Sequence, residues 1–390
     1  MDYYVSTAAE LSQAITDTML DPEKDTIYIT ADIDVSTSSR GTNDYFFEFG
    51  VFGYGEPTDD ALTINGLGHT IHGDSSAGLM RVLFGEIFIG NLTLSGGEVT
   101  GANGANQSQA ANGHNHTFDG GGNGDNGQTG GVGKSALGAG LSIMPTASVA
   151  LFNVDFVGNI ARGGDGGAGG EGGDGGHSTL WHGGHGGNGG DGGEGGAAVG
   201  AIYNAGILRM DDVTYTSNLG IGGFGGQAGQ GGRGGSSGVY HHGPDGQAGS
   251  AGARGLSEDN LYSFGHVYQD ADLANVNDLF ALYRALLDRT PDAQGLAYWK
   301  GILDSRASLA AIAQDFIDSY EYDVKTGASE TDIDYLRKVY MSVLEREPEQ
   351  AAQDSWVQSY DAGLLTRAEL AAVVIQSEEA QQKINEHFVS

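Results

Sequence analysis

The sequence predicts a β-strand scaffold of stacked repeats that carries a projecting bundle of glycine-rich arms, followed by an all-α domain. Three observations predict it. Glycine recurs at every third residue in three inserts, residues 101–133, 163–196 and 220–255. Short strand-like runs beside those inserts align with one another. Beyond residue 256 the chain turns to Ala, Leu, Asp and Glu at helical spacing.

The inserts hold 47 of the 69 glycines, so the residue is concentrated rather than scattered. A period of three fits neither an α-helix nor a strand. It is the period of a polyproline-II-type helix, which has no internal hydrogen bonds and points its N–H and C=O groups outward. Neighbouring chains can supply the missing partners where a face without Cβ lets backbones approach. A flexible linker would keep neither the period nor the even spacing of the inserts. Each insert is broken midway by a glycine-poor tip, as in a hairpin of two antiparallel arms. Three hairpins give six arms, enough for a bundle that satisfies its own hydrogen bonds. An arm of about 13 residues at ~3.1 Å per residue projects roughly 40 Å.

The scaffold begins with an amphipathic helix over residues 7–19, with Leu11, Ile15 and Leu20 on one side. Residues 25–35 alternate as a strand, and β-rich runs recur at 61–71, 80–94, 137–156 and 197–215. Residues 89–97 align with 151–159 at an offset of 62, and these with 210–218 at 59. Apolar positions then coincide at Leu92/Val154/Val213 and Leu94/Phe156/Tyr215. A unit that buries one strand face stacks on its neighbours. The segments GAGLSIMPTASVALFNVDFVGNIA and GAAVGAIYNAGILRMDDVTYTSN resemble right-handed parallel β-helix proteins with polymorphic-outer-membrane-type repeats. The resemblance covers about residues 1–220 and implies a short right-handed parallel β-helix (domain 1–256), with the inserts leaving successive coils at one corner. The bundle itself resembles, in architecture alone, the polyglycine-II bundles of phage adhesins.

In residues 257–390 two degenerate repeats match at an offset of 57: Tyr283/Tyr340, Leu287/Leu344, Arg289/Arg346, Pro291/Pro348 and Trp299/Trp356. Leu282, Leu286, Trp299, Leu303, Ile312 and Phe316 are the expected core. The motif YRALLDRTPDAQGLAYW is similar to the helical domain family DUF4214. The second copy departs from it at Glu349-Gln350-Ala351. The resemblance implies extracellular placement and export by a C-terminal, type I-like signal.

Eighteen basic residues against 51 acidic ones give a formal charge of −33. Such a chain has no surface to neutralise phosphates, which argues against nucleic-acid partners. No apolar run is long enough to span a membrane. The absence of cysteine excludes disulfides, thiol catalysis and Cys-zinc sites. The opening MDYYVSTAAELSQAI lacks the basic and apolar regions of a secretory signal.

The candidate binding residues gather at the insert tips: His114, His116, Phe118, Trp181, His182, His185, Tyr240, His241 and His242. His177 belongs to the same cluster. Aligned arms bring them to one aromatic–imidazole surface, suited to a surface glycan or protein ligand. No histidine spacing fixes a metal site. Asp165, Glu171, Asp174, Asp191 and Glu194 invite a calcium reading, but solvent-facing carboxylates are the simpler expectation. No catalytic residue is assigned. A polysaccharide lyase needs a base and cations for a uronate, and the scaffold offers only scattered Arg40, Arg81, Lys134, Arg162 and Arg209. Asp155, Asp211 and Asp212 lack the context of a hydrolase pair. The expected function is a secreted, non-enzymatic adhesion protein without a cofactor. Alternatives are a self-assembling extracellular subunit, whose partners are copies of itself, and a polysaccharide-active enzyme.

Overall fold

The alternating apolar runs form parallel ladders. The structure, a computed structural model, describes residues 1–18, 25–36, 45–50, 61–269, 272–326 and 330–389. Leu20 and Arg40 lie outside them. The helix Ala8–Thr18 buries Leu11 and Ile15 over the first strands. Asp2–Val5 pairs with Asp25–Ile29, and the ladder continues through Ala61–Asn65, Gly78–Ser95, Leu141–Val157, Ile207–Thr216 and His266–Gln269, every pairing parallel. Two further three-stranded sheets flank it. A C-terminal helical region completes the chain.

The register follows the apolar positions. Val154 pairs with Leu92 and with Val213, and Phe156 with Leu94 and Tyr215. A one-residue slip would turn every one of these side chains to the opposite face. Residues 25–35 and 61–71 are each two strands rather than one, because the chain turns a corner between them. Leu67 and Gly68 make the second corner in the left-handed region, at φ 49° and 82°. At the next corner, buried Asn159 donates through Nδ2 to the Leu94 carbonyl and to Asn218 Oδ1, and accepts from the Gly97 N–H. The stack also runs past residue 256, where the helical domain was expected to begin. Ser257–Glu258, Leu261–Ser263 and His266–Gln269 add one more parallel strand to each of the ladders they join. Their polar composition and lack of an insert hide them in the sequence.

The inserts carry no helix or extended strand. They bond to one another every third residue. We number the arms 101–113, 121–133, 163–176, 183–196, 222–235 and 243–255 as first to sixth. Along one row, the first arm donates to the third (Gly104 N–H to Asp165 C=O, 2.7 Å) and the third to the fifth (Gly166 to Phe224, 2.8 Å). Along the other, the second donates to the fourth (Gly124 to His185, 2.8 Å) and the fourth to the sixth (Gly186 to Pro244, 2.9 Å). The rows are stitched by bonds from second to first, third to second, fourth to third, fifth to fourth and sixth to fifth.

This arrangement accounts for where the glycines fall. The first and sixth arms each bond to two others and contain three and five glycines. The second and fifth bond to three and contain seven and nine; the third and fourth bond to four and contain ten each. A Cβ at Gly166 would stand 1.9 Å from the Gly193 carbonyl oxygen, and one at Gly167 2.0 Å from that of Ala105. Each additional neighbour forbids a Cβ on one more face.

In the helical region Leu282, Leu286, Ile312 and Phe316 are buried, with Trp299 and Leu303 packed against them. Arg289 clasps Glu321 and Arg346 clasps Glu379, the same pair in each repeat. Asp292 caps the helix Ala293–Asp304 by accepting from the Gly295 N–H at 2.8 Å. At the departing position of the second repeat, Glu349 makes no side-chain cap of Gln350–Asp361 and bonds Arg346 instead.

Candidate functional site: the distal tip

The arms carry the three tips to one end in register. His116 bridges Ser178, and Ser178 bridges Ser237, so the offsets of 62 and 59 hold to the end. Ser178 and Ser237 shape their turns alike. Each hydroxyl accepts the N–H three residues on, of Trp181 or Tyr240. Each also donates to the preceding tip, at the Asp119 or Trp181 carbonyl. Such Ser turns replace the backbone partners that a tight reversal leaves unmet.

Four of the expected site residues form a ring stack. The Trp181 and Tyr240 rings lie 6.0 Å apart at 19° between planes. His182 and His241 stack at 6.0 Å and 7°, and His182 tilts against Tyr240 at 5.4 Å. Trp181 and Tyr240 each remain about half exposed, at 51% and 53%. Phe118 is exposed and, by register, begins a row with Leu180 and Val239, both exposed. Extending the repeat offset into the tips reveals that row, whereas a search for histidines and aromatics misses Leu180 and Val239. His114, His116, His185 and His242 are exposed and outside the ring stack. His177 is held by its neighbour: Nδ1 accepts from the Ser236 N–H at 2.9 Å, which places any neutral-ring proton on Nε2. Among the described residues, no group of three His, Cys, Asp or Glu side chains converges to hold a metal ion.

The polar residues at every third position of the arms have a task beyond facing water. Asn103, Asn106 and Asn112 accept from the N–H groups of Asp165, Ala168 and Asp174. Asp165, Asp174 and Asp191 accept in turn from Phe224, Arg233 and Ser250. These three acidic residues are therefore side-chain rungs as well as surface charge. Glu171 and Glu194 are simply exposed.

A second polar cluster lies where the helical region covers the strands. Buried Glu86 takes Arg209 on one oxygen and Arg284 on the other. Arg209 lies 3.9 Å over the Phe280 ring and donates to Asn277. Burial lowers the Arg209 pKa to about 10, opposed by the Glu86 charge, so it remains a cation at neutral pH. The adjoining cavity is only about 40 Å³.

Comparison with known proteins adds one finding. Residues 262–325 and 313–384 match the family model described as a domain of unknown function (DUF4214). The match covers both helical repeats and the last strand, His266–Gln269, and leaves the arms and the strands through Ser257–Glu258 outside it. No curated protein and no solved structure matches the chain. No helix among the described residues is long and apolar enough to cross a membrane.

Proposed function

We propose that this is a non-enzymatic adhesion protein of the cell exterior. In this reading a short right-handed parallel β-helix holds six arms as a rigid polyglycine-II bundle. The bundle presents the Trp181–Tyr240 surface to a glycan or protein ligand. The observation that carries it is the ring stack itself. Large aromatic faces left half exposed at the end of a hydrogen-bonded projection favour recognition over solubility. The parallel register and the triplet bonding support the β-helix and polyglycine-II assignments. The charge of −33 and the absence of cysteine are compatible with export.

The edge of the bundle favours this reading over a self-assembling subunit. The first arm's outer positions are Ala102, Ala105, Ser108 and Ala111, at the places equivalent to Gly164, Gly167, Gly170 and Gly173. Their Cβ atoms stand where another copy's carbonyls would have to dock. An enzyme reading is weakened because the described scaffold arginines are paired: Arg81 with Glu48, Arg162 with Glu98 and Arg209 with Glu86.

The test is to replace Trp181 and Tyr240 together by alanine and to screen both proteins against a glycan array and whole cells. Binding should fall at least about tenfold, the loss expected when aromatic anchors are removed, while the melting temperature stays the same. Unchanged binding would reject the tip as the site.

A further inference from the structure

The large parallel sheet is covered at one end and open at the other. At its start the helix Ala8–Thr18 packs Leu11 and Ile15 onto the first strands. At its far end His266–Gln269 pairs with Ile207–Met210 alone. The rest of the strand Ile207–Thr216 therefore has a neighbour on one side only among the described residues. Val213 and Tyr215 show the consequence. Their equivalents Val154 and Phe156 are fully buried, whereas these two are partly exposed at the end of the same apolar columns. The edge that follows along the chain is closed by side chains. Asp259 Oδ1 accepts from the Gly220 N–H at 3.0 Å, and Ser257 Oγ from the Gly222 N–H at 2.8 Å.

A ladder of asparagines shows what the open edge lacks. Asn159 donates from Nδ2 to the Leu94 carbonyl at 3.0 Å and accepts at Oδ1 from the Gly97 N–H at 2.9 Å. Asn218 repeats both bonds, to the Phe156 carbonyl at 2.9 Å and from the Asn159 N–H at 3.0 Å. The third set, the Tyr215 carbonyl and the Asn218 N–H, has no partner among the described residues. Alternate residues of a strand turn their backbone groups to the same side, so Val213 also faces the open edge. Beside it, Asp155, Asp211 and Asp212 form no ion pair among the described residues. From these observations we infer that the edge 213–218 receives a parallel β-strand of another protein. That strand carries apolar residues opposite Val213 and Tyr215, a basic residue opposite Thr214 and an asparagine opposite Asn218. The apolar pair completes the columns, the basic side chain meets Asp155 and Asp212, and the asparagine supplies the third set of bonds. A second copy of this chain does not fit. The columns begin at Ile33, paired with Ile71 and through it with Leu94, so a stacked copy would set exposed Asp32 opposite Thr214, beside Asp155 and Asp212. The edge is separate from the tip and does not depend on what the tip binds.

The experiment titrates the full chain with the end-blocked peptide Val-Lys-Phe-Thr-Gly-Asn, reading affinity by calorimetry and amide protection by hydrogen exchange. Its glycine falls where Gly158 and Ser217 take φ of 62° and 56°. We expect saturable binding, slower exchange at the Val213, Tyr215 and Asn218 amides, and about tenfold weaker binding when the peptide's asparagine is alanine. Thr214→Lys, at an exposed position, sets like charges opposite each other and should weaken binding about fivefold. A peptide with glutamate in place of the lysine should bind Thr214→Lys better than it binds the unchanged protein. No saturable binding overturns the inference, as does protection confined to other amides. Equal affinity for the asparagine and alanine peptides overturns it too, as does a Thr214→Lys protein of native circular dichroism that keeps the original charge preference. A chain already dimeric by light scattering, with those three amides slow before any peptide is added, overturns it in favour of a second copy.

Discussion

Arg209, on the strand Ile207–Thr216, reaches across the strand Leu141–Val157 to donate to Glu86 on Gly78–Ser95 at 2.5 Å. The other Glu86 oxygen takes Arg284 of the helix Leu273–Leu287, so one buried carboxylate ties the strands to the helical region. Glu86→Ala leaves two guanidinium groups facing each other without their counter-charge and should cost about 3–5 kcal/mol in chemical denaturation. The triple replacement Glu86→Leu, Arg209→Met and Arg284→Met should recover most of that loss, because a packed apolar cluster has no charge to desolvate. A triple variant no more stable than Glu86→Ala would show that the ion cluster's bonds, rather than its uncompensated charge, set the cost.

Gly190 marks the interior of the bundle. Its Cβ would stand 2.1 Å from the Gln128 carbonyl oxygen, and its own N–H donates to Gly170. Gly190→Ala should therefore force arms apart and destabilise by about 1–3 kcal/mol, the usual range for overpacking. Hydrogen exchange should show faster amides in the second, third and fourth arms. Ala105→Gly, on the free outer edge, should leave those amides nearly unchanged.

The side-chain rungs predict a contrast between two replacements at one position. Asp191 accepts from the Ser250 N–H at 2.6 Å. Asp191→Ala leaves that amide to solvent and should cost about 0.5–1.5 kcal/mol. Asp191→Asn keeps an acceptor oxygen and should be close to neutral. Exchange at the Ser250 amide reads the difference directly.

Asp278 gives a pH dependence. Its carboxyl is buried, and burial raises its pKa, opposed by hydrogen bonds from Gln376 and Gln381. The folded state thus holds this proton more tightly than the unfolded state. The stability linked to the protonated form is full below the unfolded value of about 3.9 and is lost as pH rises through the raised folded value. Asp278→Asn should accordingly raise the melting temperature at pH 7, with the two Gln amides free to reorient. The advantage should shrink towards pH 4. A variant equally stabilised at both pH values would contradict this account.

Much of the fold was legible because burial repeats. The Leu92/Val154/Val213 and Leu94/Phe156/Tyr215 alignments are the observed register, since each apolar side chain must lie beside its equivalent in the next parallel strand. The helical core was legible from Leu282, Leu286, Ile312 and Phe316 for the same reason. The rungs made by Asn103, Asp165 and their equivalents were not. A short polar residue between glycines looks like solvent-facing decoration until its partner 59 or 62 residues away is known. At the tip, residue type pointed to Trp181, His182, Tyr240 and His241, which do meet. It also pointed to His114, His185 and His242, which do not join them. Exposed histidines have no periodic constraint to distinguish those two groups.

The three excursions 101–134, 163–196 and 222–255 each span 34 residues, although the offset between paired strands changes from 61 at Leu141/Ile202 to 59 at Ser148/Ile207. Variation in repeat size is thus absorbed beneath the projection and never within it. The reach of the molecule is consequently quantised. Adding one or two residues to any arm would throw its donors out of phase, and a triplet added to a single hairpin would loop out. Only matched triplets inserted in all six arms would move the tip, in steps of about 9 Å.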